Sequence, residues 1–325
     1  MIRKWAVSIL AMGLVASIAL TGCNSAQETK ASEDNGKIQV YTSLFPLEDF
    51  ARQIGGPHVQ VTNLIPPGVE SHDFELSARD MAHLSEADLF VYNGAGFEAW
   101  VDQASKSLDR DQTLIVNTTE KLELLKAEDE HGHKHEGEEA PGKEEHEHGE
   151  FDPHVWLDPT IAKQQALKIR DALIQKDPKN KADYEKNYTE LATKLDQLDQ
   201  EYKEMVQKAK KKEFITAHAA FAYLAHRYGL EQIAVSGISP SDEPSAKELE
   251  GIIEEVKEHQ IKYILFETLV SGKVAEVVKN EVKAEALVLN PLEGLTKEEA
   301  AQGADYFSIM RKNKENLAKA LEATP

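Results

Sequence analysis

Short apolar runs recur along the chain, separated by polar or helix-patterned stretches. KIQVYTS (37–43), VQVTNLI (59–65), ADLFVYNG (87–94) and TLIVNT (113–118) are rich in β-branched and aromatic residues, as strands are. Helical patterns are expected over 46–53 and 97–107. A second pulse follows: EFITA (213–217), EQIAVSG (231–237), KYILFE (262–267) and EALVLN (285–290), with helices between them and a closing helix over about 304–321. From 160 to 212 the chain is helical in character almost throughout. Residues 181–212 contain no Gly or Pro, and Tyr184, Tyr188, Leu191, Leu195, Leu198 and Tyr202 recur at three- and four-residue steps. That period predicts one long amphipathic helix. Strand alternating with helix argues for parallel sheets with covered faces. The expected fold is therefore α/β, with two four-stranded lobes joined by a long helix and no sequence repeat relating them.

Two segments break this rhythm. Arg3 and Lys4 precede an apolar run over 5–20, too short and too early for a membrane span and suited to a signal peptide (1–22). Leu20-Thr21-Gly22-Cys23 matches a bacterial lipobox, which places cleavage before Cys23 and a diacylglyceryl group on its sulfur. Two acyl chains anchor stably where one is marginal. Residues 23–36 then read as a lipidated cysteine and polar tether. The other break, 127–150, holds ten acids, two lysines and five histidines (His131, His133, His135, His146 and His148) without a large apolar residue. Such a segment cannot bury enough surface to fold and is expected to be disordered. The expected division is thus an N-terminal lobe over 37–180 containing that loop, a linking helix over 181–212 and a C-terminal lobe over 213–325.

Composition narrows the chemistry. Cys23 is the only cysteine among 325 residues, so once lipidated it leaves none for a disulfide, a thiolate ligand or a nucleophile. A metal site must then use imidazole and oxygen. The net charge of −20, more negative still once Arg3 and Lys4 leave with the signal, argues against nucleic acid or anionic phospholipid as a partner.

Ligands of open parallel sheets gather beyond the carboxyl ends of the strands. Ionisable residues stand there in four places. Glu70, His72, Asp73 and Glu75 follow the second strand, and His154 follows the fourth strand and the acidic insert. His218 directly follows the fifth strand, and Glu293 follows the last. Lobes facing each other would bring these groups together. Three neutral imidazoles and one carboxylate suit tetrahedral Zn²⁺, whereas two of each would favour a harder ion such as Mn²⁺. His58, His83, His226 and His259 lie at a strand start or on helix patterns and read as structural.

The runs PPGVESHDFELSARD, NGAGFEAWVD, DPHVWLDP, FITAHAAFAYLAHRYGL, ISPSDEPSAKELEGII, LNPLEGLT and DYFSIMRKNKENL occur in this order. Together they resemble the zinc-uptake solute-binding lipoproteins of ABC transporters, a cluster that also holds manganese-binding relatives. The resemblance spans essentially the whole mature chain. It implies two Rossmann-like lobes bridged by a rigid helix, with the metal in the interlobe crevice. It places the four ligands on His72, His154, His218 and Glu293. Manganese-binding relatives typically carry glutamate at the position of His218 and aspartate at that of Glu293, so zinc is favoured. Ser71 departs from the pattern, where proline commonly precedes the first histidine. Glu70 or Asp73 therefore stays open as an oxygen ligand of that loop, and Glu267 as one of the second lobe. The resemblance also implies weak auxiliary zinc binding by the five histidines of the insert.

The expected protein is a monomeric, lipid-anchored extracytoplasmic receptor that passes Zn²⁺ to the membrane subunit of an ABC permease. The rival readings are a manganese or other divalent-metal receptor of the same fold, a zinc hydrolase and an adhesin. A hydrolase would need an open coordination position and a general base, and the chain has no His-Glu-x-x-His pair. No repeat or surface motif supports an adhesin.

Overall fold

The computed structural model describes residues 36–127 and 150–324. The signal peptide, Cys23 with its tether, and the five histidines of the insert lie outside the described residues. Among those residues, no helix is long and apolar enough to cross a membrane.

The N-terminal part runs β1 (Ile38–Thr42), α1 (Phe45–Gly55), β2 (Val59–Asn63), α2 (Ala78–Leu84), β3 (Leu89–Tyr92), α3 (Val101–Ser107), β4 (Leu114–Asn117) and α4 (Pro159–Lys176). A long helix, α5 (Lys181–Gln207), follows. The C-terminal part runs β5 (Glu213–His218), α6 (Ala222–Tyr228), β6 (Glu231–Ser236), α7 (Ala246–Glu258), β7 (Tyr263–Phe266), α8 (Lys273–Val282), β8 (Glu285–Val288), α9 (Lys297–Ala301) and α10 (Tyr306–Ala320). All strand pairs are parallel, in the orders β2-β1-β3-β4 and β6-β5-β7-β8. One topology thus occurs twice without a sequence repeat, and each sheet reverses its order beside its first strand, where ligands gather.

Two boundaries and one additional helix differ from the sequence expectation. Helix α5 ends at Gln207, five residues short of 212, and the N–H groups of Lys210 and Lys211 both bond to the carbonyl of Leu321 instead. Helix α3 begins at Val101 rather than 97; the chain before it turns through Gly94, Ala95 and Gly96 at positive φ (86°, 54° and 82°), and Glu98 folds back to accept the Asn93 and Gly94 N–H groups. Helix α2 was not expected; Ser77 and Asp80 form a reciprocal capping box at its start.

The stripe on α5 is buried at Tyr184, Leu191, Leu195, Leu198 and Tyr202. These residues belong to one continuous apolar core that reaches from Val40 and Phe50 to Phe221, Leu289 and Tyr306. Polar clasps reinforce the seam. Arg227 donates to both carboxylate oxygens of Asp199 at 3.0 Å, and Arg311 and Lys314 of the C-terminal helix engage Glu201. Both lobes are therefore packed onto the same rod. Opening them wide would expose shared core, so the fold favours small displacements at the crevice.

Candidate metal centre

His72 lies in the loop between β2 and α2. The Glu70 carboxylate accepts the backbone N–H groups of His72 and Asp73, each at 2.9 Å, so the loop winds around its own acid. Asp73 and Glu75 face solvent. None of these three acids joins the histidine cluster, so the geometry does not favour the oxygen ligand left open for this loop. Ser71, the departure from the family pattern, has a structural role: its hydroxyl donates to the carbonyl of Glu293 at 3.2 Å. Nearby, Gly68 at φ +89° donates its N–H to the carbonyl of Leu295 at 2.7 Å. Two bonds thus tie the His72 loop to the Glu293 loop across the crevice.

His154 owes its orientation to Asp152. One carboxylate oxygen, Oδ1, accepts the backbone N–H of His154 at 2.8 Å and lies 2.9 Å from its Nδ1. This clip leaves Nε2 facing the crevice. The segment is held from every side: Asn93 Nδ2 donates to the Pro153 carbonyl (2.9 Å), Tyr223 Oη–H to that of Asp152 (2.9 Å) and Tyr306 Oη–H to that of Trp156 (2.7 Å). Trp156 Nε1–H itself reaches the Pro291 carbonyl at 2.7 Å.

His218 is the last residue of β5 rather than the first of the following loop. Its N–H donates to Glu267 Oε1 at 3.0 Å, and its Nδ1 lies 2.5 Å from Glu267 Oε2. That second approach is too bent for an aligned hydrogen bond, but at such a distance it is a strong charge contact. Glu267 therefore stands behind His218, outside the four residues whose ligand atoms converge. Asp152 and Glu267 play the same part for two histidines, since a carboxylate on one ring nitrogen orients the other and raises its basicity. Sequence reasoning missed both parts, although an acid two residues before His154 is visible in DPH.

The Nε2 atoms converge on one carboxylate oxygen. Glu293 Oε1 lies 3.3 Å from Nε2 of His154, 3.3 Å from Nε2 of His218 and 3.6 Å from Nε2 of His72. The Nε2 atoms of His154 and His72 are 3.4 Å apart. One ligand atom from each of the four residues fits within a mutual span of 4.8 Å. A tetrahedral ion with bonds of about 2.0–2.1 Å has ligand–ligand edges of about 3.3–3.4 Å. The measured contacts are thus close to a zinc coordination shell. His154, His218 and Glu293 are buried, and Glu293 Oε1 and His218 Nε2 lack a hydrogen-bond partner. Orphaned buried groups of this kind are costly unless something pairs with them. A divalent cation would pair with all four at once.

The electrostatics agree. Burial would raise the Glu293 carboxyl, yet His72, His154 and His218 hold it well below the usual range. Burial would lower His218, but Glu267 and Glu293 push it up to about 10. His154 is likewise raised, with burial outweighed by Asp152 and Glu293. His58, His83, His226 and His259 stay outside the cluster; His58, for example, pairs with Asp183 at 2.8 Å.

Two doubly wound lobes on a shared helix, with three imidazoles and a carboxylate converging between them, define a two-lobe binding protein with a candidate divalent-metal centre. The chain belongs to the family described as "Zinc-uptake complex component A periplasmic" (ZnuA), whose profile matches residues 40–320. It is similar to the "High-affinity zinc uptake system protein ZnuA" of Bacillus subtilis (strain 168), with 40% identity over 321 residues and 99% of each chain covered. It is also similar to the "Zinc-binding lipoprotein AdcA" of Streptococcus pneumoniae (strain ATCC BAA-255 / R6), at 39% identity over 98% of this chain but only 60% of that longer protein. The crystal structure of the Zn(II)-bound ZnuA-like domain of Streptococcus pneumoniae AdcA superposes with a TM-score of 0.73 at 39% identity, covering 88% of this chain and 100% of that one.

Proposed function

We propose that this chain is an extracytoplasmic receptor that captures Zn²⁺ in the interlobe crevice and delivers it to the membrane permease of an ABC transporter. His72, His154 and His218 bind through Nε2, and Glu293 supplies the anionic oxygen. The observation that carries this reading is the convergence of three ring nitrogens on one orphaned carboxylate oxygen at 3.3–3.6 Å. The names of its relatives support zinc as the cargo. Cys23 carries the lipid anchor, the body over 37–325 works as a monomer, and the histidines of the insert bind further zinc weakly. Four protein ligands close a tetrahedral shell and leave no position for an activated water, so the centre suits capture rather than hydrolysis.

Metal analysis of the purified protein, with competition among Zn²⁺, Mn²⁺ and Cu²⁺, tests this. One tightly held zinc per chain, not displaced by a moderate excess of manganese, is the expected result. Copper is included because nitrogen sites bind it intrinsically more tightly than zinc. A site that prefers manganese, or one that survives His154→Ala undiminished, overturns the reading.

A further inference from the structure

Glu98 is 4% exposed and is not one of the four clustered residues. Its Oε1 accepts the Asn93 N–H at 2.8 Å and the Ser43 O–H at 2.5 Å, and its Oε2 accepts the Gly94 N–H at 3.0 Å. Three donors, one just beyond β1 and two in the turn after β3, thus close on a single side chain.

The turn needs such a restraint. Ala95 carries a side chain at φ +54°, between two glycines that are also left-handed. A Cβ on Gly94 would lie 2.3 Å from Asn117 Oδ1, so the backbone is also pressed against its neighbours. Two contacts run from this turn to the metal centre. The Phe97 ring packs against His72 with centroids 4.7 Å apart and stands 6.1 Å from that of His154. Asn93 Nδ2 bonds to the carbonyl of Pro153, the residue before His154, and Gln165 Nε2 fixes the Asn93 amide by donating to its Oδ1 at 2.9 Å.

We infer that Glu98 is a positioning residue of the metal centre, holding the turn that sets His72 through Phe97 and His154 through Asn93 and Pro153. This rests on His72 and His154 being ligands. The carboxylate thereby restrains both N-terminal-lobe ligands through one turn. Supporting groups of this kind act through geometry, since a ligand that is loosely held coordinates poorly.

Glu98→Gln tests the role at constant size. Its amide must place an NH₂ against the Gly94 N–H or the Asn93 N–H, and either choice breaks a tie of the turn. Two readouts are used: zinc affinity by chelator competition, and the visible absorption of the cobalt(II)-substituted protein, which reports ligand geometry. The control is Tyr184→Phe, which removes a buried bond to Asp177 (2.8 Å) and no contact of the centre. Glu98→Gln is expected to raise the zinc Kd about 10–100-fold and to shift the cobalt bands, while Tyr184→Phe leaves both unchanged. A folded Glu98→Gln protein with wild-type affinity and cobalt spectrum overturns the inference. Should that variant not fold, Ser43→Ala loosens the same carboxylate more gently, and an unaltered cobalt spectrum there overturns it. Wild-type protein without a tight zinc overturns the site reading itself, whereas wild-type binding beside an unaffected Glu98 variant overturns this inference alone.

Discussion

Zinc has to displace protons to enter this centre, and the carboxylates behind the histidines determine over what pH range. Isolated imidazoles titrate near ~6.5, which would confine the competition to acid conditions. In the metal-free protein burial disfavours the charge on His218, but Glu267 and Glu293 outweigh it and hold the proton up to about pH 10. At least one proton must therefore leave per zinc bound at pH 8. Apparent affinity should fall about tenfold per pH unit for each proton displaced, or roughly 100-fold between pH 9 and pH 7. His154 is raised as well, by Asp152 and Glu293 against burial, so its proton adds to the same competition. The stability of the metal-free protein runs the other way. A raised imidazole contributes stability fully below its unfolded value and loses it as pH climbs through the folded value, here between ~6.5 and about 10. The zinc-induced rise in Tm should then widen with pH from both sides. Calorimetry in buffers of different ionisation enthalpy counts the protons, and chelator competition from pH 6 to 9 gives the slope. Glu267→Gln removes one of the charges that hold the proton and should flatten the profile near pH 8. A count of zero at pH 8, or constant affinity from pH 9 to 7, would refute the argument.

His218→Ala should weaken zinc binding more than Glu293→Ala, because water replaces a single oxygen more readily than an imidazole and the substitution also strands Glu267; equal affinities in chelator competition would contradict this. Deleting 128–149 should leave the tight site intact, because Lys126 and Phe151 already form an antiparallel bridge and Ala127 N–H reaches the Glu150 carbonyl at 3.1 Å, so the cut ends start side by side. Calorimetric titration should show one tight zinc retained and weaker ones lost; loss of the tight one would make the segment a ligand donor. Leu198→Ala empties a fully buried position on α5 and should cost about 2–5 kcal/mol in denaturant unfolding. A negligible change there would mean that the helix lies outside the core.

The eight strands were legible because each is a short apolar run rich in β-branched or aromatic residues or in leucine, and their ends were missed by only a residue or two, as where β5 runs on to His218. The stripe on α5 was legible for the same reason, since periodicity reports burial. The end of α5 was not, because nothing in a lysine-rich run says that Leu321 will accept its backbone N–H groups. The start of α3 was hidden similarly: GAGFE reads as a weak helix start, and only the fold shows Glu98 turned back onto Asn93 and Gly94. Glu70 and Glu267 illustrate the limit for ligands. Both are acids at the right sheet edge, and one caps its own loop while the other backs His218. Sequence position brings a residue to the crevice; which atom faces inward depends on bonds formed with residues as distant as 222 positions, as between Ser71 and Glu293.

Those supporting acids also change the charge balance of the centre. Counted by its ligands alone, zinc with three neutral imidazoles and Glu293 leaves one net positive charge in a buried pocket, an expensive arrangement. Asp152 and Glu267, whose side chains are 2% and 1% exposed, add two negative charges directly behind His154 and His218. Zinc with three carboxylates then leaves one net negative charge. The two supporting acids therefore offset the unpaired positive charge that a zinc ion held by these four ligands would otherwise leave in the buried region. A shift that separates Glu293 from the three histidines should weaken zinc binding, so release is expected to begin from small movements of this kind.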